Sequence, residues 1–253
     1  MTFGAASGLW ASIYGLAGAI IGSFVAALVL RWLDDRSVLA GRSACDHCGK
    51  TLRAWELVPV VSFVLLRGRC ARCRKAIDPV HWRIEAIAAL IGVSAGWVAG
   101  ADGWTGALFG WTLLALGALD ALAFWLPDRL TAWAAWAGVL TGLLGHAPSP
   151  DERIVGGLVG FVGLWAIAEG YRRWRGREGM GGGDPKLLGA IGLWLGWRML
   201  PGVLLAACVI GLGFVAVRHL LGQRASGQDM VPLGLLLALA AYPAWLLMIG
   251  MAA

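Results

Sequence analysis

Two aspartates of this chain lie at positions where an acidic side chain could have a chemical role. Asp120 interrupts an apolar stretch over residues 113–126. An ionisable group in such a stretch costs several kcal/mol, and it therefore indicates a function unless its side chain reaches a polar boundary. Asp184 ends a glycine-rich turn. Taken alone, it predicts only a good helix start, with Asp184 as the N-cap and Pro185 as the first helical residue.

As a pair, the two carboxyl groups suit acid–base hydrolysis of an amide bond. Like charges cannot both ionise cheaply, so such a pair shares one proton: one member activates water and the other protonates the leaving group. We expect Asp184 to be the ionised member, since it opens a helix, and Asp120 to be the protonated one. The His-Glu-x-x-His and Gly-x-Ser-x-Gly motifs of other hydrolases are absent from the sequence.

Four further residues could support this chemistry. Gly181 and Gly183 precede Asp184, and glycines permit backbone conformations that are closed to other residues. Lys186 is unusual because a cation is disfavoured in the first turn of a helix; we expect it to neutralise Asp184 or to contact a lipid phosphate. Glu85 could bind a basic substrate segment, while Asp128 is expected to be a turn and N-cap residue.

Four cysteines form two Cys-x-x-Cys pairs, Cys45 with Cys48 and Cys70 with Cys73. Each pair can present two thiolates from a tight knuckle, and two knuckles complete a tetrahedral zinc site. Four thiolates leave no open coordination position, so the predicted zinc is structural rather than catalytic. Redox activity of the thiols is the alternative. We find no internal repeat in the sequence.

The elements that position these residues are apolar. Of the 253 residues, 59% are hydrophobic and 14% charged, against about 45–50% and 25% in soluble domains. This composition excludes a soluble single-core protein, a disordered chain and a secreted disulfide scaffold. Eight apolar runs, of which the sixth is too short to span a bilayer alone, lie at residues 9–30, 86–101, 104–119, 130–147, 154–168, 187–197, 199–217 and 230–253.

The basic residues predict the orientation. With the N-terminus outside, 19 of the 21 lysines and arginines fall on the inner side, including Arg42 and Arg224, and only Arg153 and Arg198 fall outside. Cytoplasmic loops are enriched in this way. The formal charge of +6 is thereby explained by topology, so no nucleic-acid partner is expected. The aspartates and the cysteines are then expected on the cytoplasmic side.

Four blocks in order resemble the type IV prepilin peptidases. The resemblance lies in residues 22–31 of the first span, residues 42–70 of the cysteine insert, Asp120 with residues 126–131, and the Gly-x-Gly-Asp signature within residues 181–192. It implies an aspartic-type peptidase with Asp120 and Asp184 as the catalytic pair. The family removes a basic leader from type IV prepilins or type II secretion pseudopilins, after a glycine on the cytoplasmic side. Many members then methylate the new N-terminus with S-adenosylmethionine.

The prediction is thus an all-α polytopic protein of the bacterial inner membrane, with about eight transmembrane helices and a zinc-ribbon-like cytoplasmic insert. Residues 1–31 form the first span, residues 32–83 the insert, and residues 84–253 a peptidase domain of about seven spans. The bilayer and the prepilins are its expected partners. A non-catalytic assembly factor of a pilus or secretion system, with the zinc module as a docking site, is the alternative; a transporter is a weaker one.

Overall fold

The computed structural model of this chain describes residues 3–34, 36, 43–45, 47–222 and 231–252, so Arg42 and Arg224 lie outside the described residues. Within these ranges the fold is helical, with two isolated β-bridges and no longer strand, which confirms the predicted all-α class. The helices are α1 (Phe3–Leu33), α2 (Val61–Leu65), α3 (Pro79–Ala99), α4 (Gly103–Ala123), α5 (Asp128–Leu143), α6 (Pro150–Arg175), α7 (Gly183–Leu195), α8 (Leu200–Leu220) and α9 (Leu233–Ala252).

Each of the eight apolar runs falls on a helix, but the helices differ in length. Five segments are long and apolar enough to cross a membrane: Ala6–Leu33, Pro79–Ala123, Pro150–Arg175, Trp197–Leu220 and Leu233–Met251. The second of these contains both α3 and α4. With 16 and 13 residues, α5 and α7 do not qualify. The short sixth run stays short, because Gly196, at φ 72°, breaks the chain between α7 and α8.

The described chain forms two compact units, Met1–Ala115 and Leu116–Ala253. In the first unit, α1 and α3 pack in antiparallel register at very close range. A Cβ on Gly96 would lie 2.5 Å from the carbonyl oxygen of Trp10, and a Cβ on Gly18 would overlap the carbonyl oxygen of Ala88. Glycine at these positions lets two backbones approach, as at helix interfaces inside membranes.

In the second unit, α7 is the central element. Ten of its 13 residues are buried, and it packs against α5, α6 and α9. Gly156 of α6 again permits close approach, since a Cβ there would lie 2.5 Å from the carbonyl oxygen of Gly192. The Nε1–H of Trp194 donates to the carbonyl of Ala134 at 2.8 Å, which ties α7 to α5.

A buried arginine, Arg153 of α6, joins the ends of two helices. Its guanidinium donates to the carbonyl of Gly138 near the end of α5 and to that of Leu193 near the end of α7, both at 2.8 Å. Further bonds reach Thr141 and the carbonyls of His146, Ala147 and Pro148. Leu193 lies in the last turn of α7, where carbonyls lack partners within the helix and a cation is favoured. The sequence analysis treated Arg153 only as an outer-side charge.

The α1–α3 contact makes a prediction. Gly18→Ala should lower the free energy of unfolding by about 1–3 kcal/mol, because the added methyl group forces the two backbones apart. Gly8→Ala on the same helix is the matched control, since a Cβ at Gly8 meets no atom within 4 Å. Thermal unfolding of the purified protein checks both variants. Equal losses in the two variants would contradict the proposed cause.

Candidate active site and metal centre

Asp120 lies in the last turn of α4 and is buried, with 5% of its surface exposed. Its Oδ2 accepts a hydrogen bond of 2.9 Å from the backbone N–H of Leu235. That N–H belongs to the first turn of α9, where backbone donors have no partner within the helix. A Cβ on Gly234 would lie 3.0 Å from the same Oδ2. The carboxylate of Asp120 therefore sits at the N-terminus of α9.

Asp184 lies at the start of α7, also buried, with 7% of its surface exposed. The predicted N-cap assignment is wrong. The N-cap is Gly182, and the helix begins at Gly183, so that Asp184 is its second residue. The difference of two residues is ordinary for helix ends. The Asp184 carboxyl group accepts a backbone N–H from Gly181, the residue before the N-cap.

The carboxyl groups of Asp120 and Asp184 interact electrostatically. Burial, and then the charge of Asp120, raise the pKa of Asp184 to about 6. Burial disfavours the charged form of a carboxyl group, and a neighbouring like charge adds to the effect. Two acids far apart in the sequence therefore lie close enough for the charge of one to affect the other. The arrangement provides one carboxyl group that holds its proton close to neutral pH.

The division of roles between the two acids stays a prediction. Asp120 accepts an N–H bond at the start of α9, and such bonds stabilise the ionised form. Asp184 also stands at a helix N-terminus, but burial and the charge of Asp120 outweigh that effect and raise its pKa. Asp184 accepts a backbone N–H as well, from Gly181, but its pKa remains raised to about 6, which favours Asp184 as the acid of the pair. Sequence position alone could not show that α9 begins against Asp120.

Of the three glycines before Asp184, Gly183 is the one whose small size the structure requires. None of Gly181, Gly182 and Gly183 has a positive φ, so the expectation of a backbone shape closed to other residues is wrong. A Cβ on Gly183 would lie 2.8 Å from the Cβ of Leu126, and one on Gly181 would lie 3.4 Å from Oδ2 of Asp184. Gly183 therefore makes room for Leu126, whereas a Cβ on Gly181 would make only an ordinary van der Waals contact with the carboxyl group.

Lys186 pairs with Asp128 rather than with Asp184. Its Nζ lies 2.6 Å from Oδ1 of Asp128, and both side chains are largely exposed. Asp128 is the first residue of α5, and the N-cap is Pro127. The ion pair links the starts of α5 and α7. It lies at one end of an apolar groove of about 490 Å³ between α5, α6 and α7.

Glu85 lies in the first unit, in α3, and is buried. Its Oε2 accepts a hydrogen bond of 2.7 Å from the backbone N–H of Val60 in the cysteine insert. The residue thus has a structural partner within its own unit. The suggestion that it binds a basic substrate segment stays a prediction.

The four cysteines of the insert converge. The sulfur atoms of Cys45, Cys48, Cys70 and Cys73 all lie within 4.8 Å of one another, and those of Cys45 and Cys73 are 3.9 Å apart. In a tetrahedral site with metal–sulfur bonds of about 2.3 Å, sulfur atoms are about 3.8 Å apart. Backbone N–H groups of Cys73 and Arg72 lower the pKa of Cys70 to about 6. The cluster can hold a metal ion.

The two knuckles repeat each other bond for bond. Cys45 N–H donates to the carbonyl of Lys50, and Cys70 N–H donates to that of Lys75, both at 2.9 Å. Antiparallel bridges flank them in the same way, between Ala44 and Thr51 and between Arg69 and Ala76. The sequence analysis missed this short repeat. The residue after each Cys-x-x-Cys pair has a left-handed backbone conformation. This residue is Gly49 in one knuckle and Arg74 in the other, so the two sequences look less similar than the two structures.

Comparison with known proteins places these residues in a family context. A family model described as the bacterial peptidase A24 N-terminal domain matches residues 16–99, which include the cysteines. A second, described as the type IV leader peptidase family, matches residues 107–216, which include both aspartates.

Curated relatives extend over most of the chain and carry the name prepilin leader peptidase/N-methyltransferase. One from Burkholderia pseudomallei (strain K96243) is 36% identical and covers 87% of this chain and 80% of the relative. Relatives from Aeromonas hydrophila and Pseudomonas putida are 36% and 37% identical, cover 83% and 79% of this chain, and are covered over 73% and 70% of their own lengths. No solved structure matches the chain.

The cysteine cluster makes a prediction. Cys73→Ser should lose the bound metal and lower the melting temperature, because a structural site contributes its binding energy to folding. Cys208→Ser is the matched control, since Cys208 is exposed on α8 and outside the cluster. Metal content and thermal unfolding, measured on both purified variants, decide the matter. Unchanged metal content in Cys73→Ser would contradict the assignment.

Proposed function

This chain belongs to the type IV leader peptidase family and is a prepilin peptidase, and we propose that Asp120 and Asp184 form its catalytic pair. The observation that carries this proposal is the electrostatic interaction between two buried carboxyl groups. Asp184 lies in the first turn of α7, and Asp120 lies in the last turn of α4, bonded to the start of α9. The substrate we infer is a type IV prepilin or a type II secretion pseudopilin, cut after the glycine that ends its basic leader.

The geometry supports a general acid–base mechanism. The carboxylate of Asp120 takes a proton from a water molecule as its oxygen attacks the carbonyl carbon of the scissile bond. Asp184 gives its proton to the nitrogen of the leaving amine as the C–N bond breaks. The pair ends with the proton on Asp120 instead of Asp184, and exchange with solvent restores the starting state.

The location of the reaction follows from charge. The inner segments of the predicted topology hold 19 of the 21 basic residues, so we infer an inner-membrane protein with the N-terminus outside and the catalytic pair facing the cytoplasm. A prepilin whose apolar helix remains in the bilayer would present its leader on that side.

Two further roles belong to this proposal. The four cysteines fit zinc, for which four thiolates in a closed tetrahedral site are typical, and the metal would supply structural stability. The names of the relatives also include N-methyltransferase. We infer that this chain too transfers a methyl group from S-adenosylmethionine to the new N-terminal amine.

The catalytic pair makes a prediction. Asp120→Asn and Asp184→Asn should each reduce cleavage of a co-reconstituted prepilin by about 10²–10⁴-fold, the range expected for one acid–base group. Asp151→Asn is the control, because Asp151 lies in the first turn of α6, fully exposed to solvent. Mass spectrometry of the prepilin reports both the new N-terminus and any added methyl group. Cleavage that persists in either variant would refute the pair, and uncleaved prepilin with the wild-type protein would favour the assembly-factor alternative.

The electrostatic contact makes a separate prediction. If the charge of Asp120 holds up the pKa of Asp184, that pKa should fall below about 6 in Asp120→Asn. The carboxyl band of protonated Asp184 in infrared difference spectra, identified by its loss in Asp184→Asn, measures the titration. In the wild-type enzyme, the rate should fall as pH rises through the pKa of Asp184, because the acid is then deprotonated. An unchanged titration in Asp120→Asn would mean that the two groups do not interact.

A further inference from the structure

The cysteine insert exposes an apolar segment between its two knuckles. Residues 55–65 include six large apolar side chains with at least a third of their surface exposed: Trp55, Leu57, Val58, Val61, Val64 and Leu65. Val64 and Leu65 are 65% and 71% exposed. Scattered single apolar residues on a surface need no explanation, but a contiguous set indicates an interaction site.

Two contacts fix the position of this segment along α3. The N–H of Val60 donates to Oε2 of Glu85, and the ring of Phe63 packs against Trp82 with centroids 5.7 Å apart. Both partners belong to the first two turns of α3. Glu85 lies six residues, or about 9 Å, beyond the first residue of α3, and the apolar run of that helix starts directly after it.

The short helix α2 therefore lies along α3 at the level where the apolar run begins. Its Phe63 faces α3, while Val61, Val64 and Leu65 are exposed. The close antiparallel packing of α1 and α3 also brings both ends of the insert to the same end of this helix pair. The exposed aliphatic side chains therefore lie beside α3, at the point where its membrane-spanning apolar run begins.

The charges around the segment have one dominant sign. Five exposed basic residues follow it within the second knuckle: Arg67, Arg69, Arg72, Arg74 and Lys75. Glu56, the acid within the segment, is buried and paired with Lys50 at 2.8 Å. Asp78 accepts the N–H of Val80 at the start of α3. Basic residues at a membrane edge attract anionic lipid headgroups.

We propose that residues 55–65 insert into the headgroup layer of the bilayer, with Arg67 and Arg69 binding anionic lipid. Apolar side chains beside a basic stretch at this depth are the pattern of an interfacial segment. The insert is then a membrane-contacting module as well as a metal site. This inference does not depend on the identity of the catalytic residues.

The test uses the photo-crosslinking residue p-benzoylphenylalanine in place of Leu65, and separately of Val64, in the full chain. The protein is placed in nanodiscs of equal phosphatidylglycerol and phosphatidylcholine. Substitution at Leu90, exposed on α3, is the positive control, and substitution at His47 in the first knuckle is the background control. Metal content verifies that each variant is folded, and mass spectrometry identifies each adduct.

We expect lipid adducts at residue 65 or 64 at the level found at Leu90 and well above that at His47. Phosphatidylglycerol should exceed phosphatidylcholine among them by about fivefold per bound arginine, and Arg67→Gln with Arg69→Gln should bring the ratio close to one. Adducts as rare as at His47, or adducts to a pilin or to a second copy of the chain, would overturn the proposal. Equal labelling by the two lipids in the wild-type insert would overturn the arginine contacts.

Discussion

Repulsion between two buried carboxyl groups is the interaction on which the proposed chemistry depends. Asp120 and Asp184 lie in different helices of one unit, yet the charge of one raises the pKa of the other. In water, two such acids would both ionise and neither could donate a proton at neutral pH. Burial disfavours the ionised form of both acids. The backbone N–H of Leu235, at the start of α9, donates a hydrogen bond to Asp120. Asp184 accepts a backbone N–H as well, from Gly181, so any difference between the two acids comes from their burial and their neighbours.

The rest of the second unit holds this pair in place. Because α7 is only 13 residues long, its position depends on its neighbours rather than on a full crossing of the bilayer. Close backbone contacts, such as that of Gly156 with Gly192, hold its flank. Arg153 donates to the carbonyl of Leu193 in the last turn of α7 and to that of Gly138 in α5. An arginine without a carboxylate is tolerable there because helix carbonyls supply the compensating partial charge.

The sequence predicted the elements better than their contacts. The two aspartates and the four cysteines were found from residue type and spacing, and each apolar run became a helix. The partners of individual side chains were harder to predict. Lys186 binds Asp128 and not Asp184, because this pairing depends on how α5 and α7 pack. The reason for Gly183 was also missed, since only coordinates show Leu126 against it. No sequence pattern indicated the structural role of Arg153, because most of its acceptors are backbone carbonyls, which every residue carries.

The insert is ordered by a different principle from the helices around it. Between Ser43 and Asp78 its only α-helix within the described residues has five residues, too few to form a core. Two matching knuckles meet at four thiols at one end. Glu85 fixes Val60 to α3 at the other. A hydrogen bond from a backbone N–H to a carboxylate holds the segment at one position along α3. An apolar contact alone would allow the segment to shift along the helix. The position of the segment relative to α3 is consequently set by a directional bond together with the packing of Phe63 on Trp82.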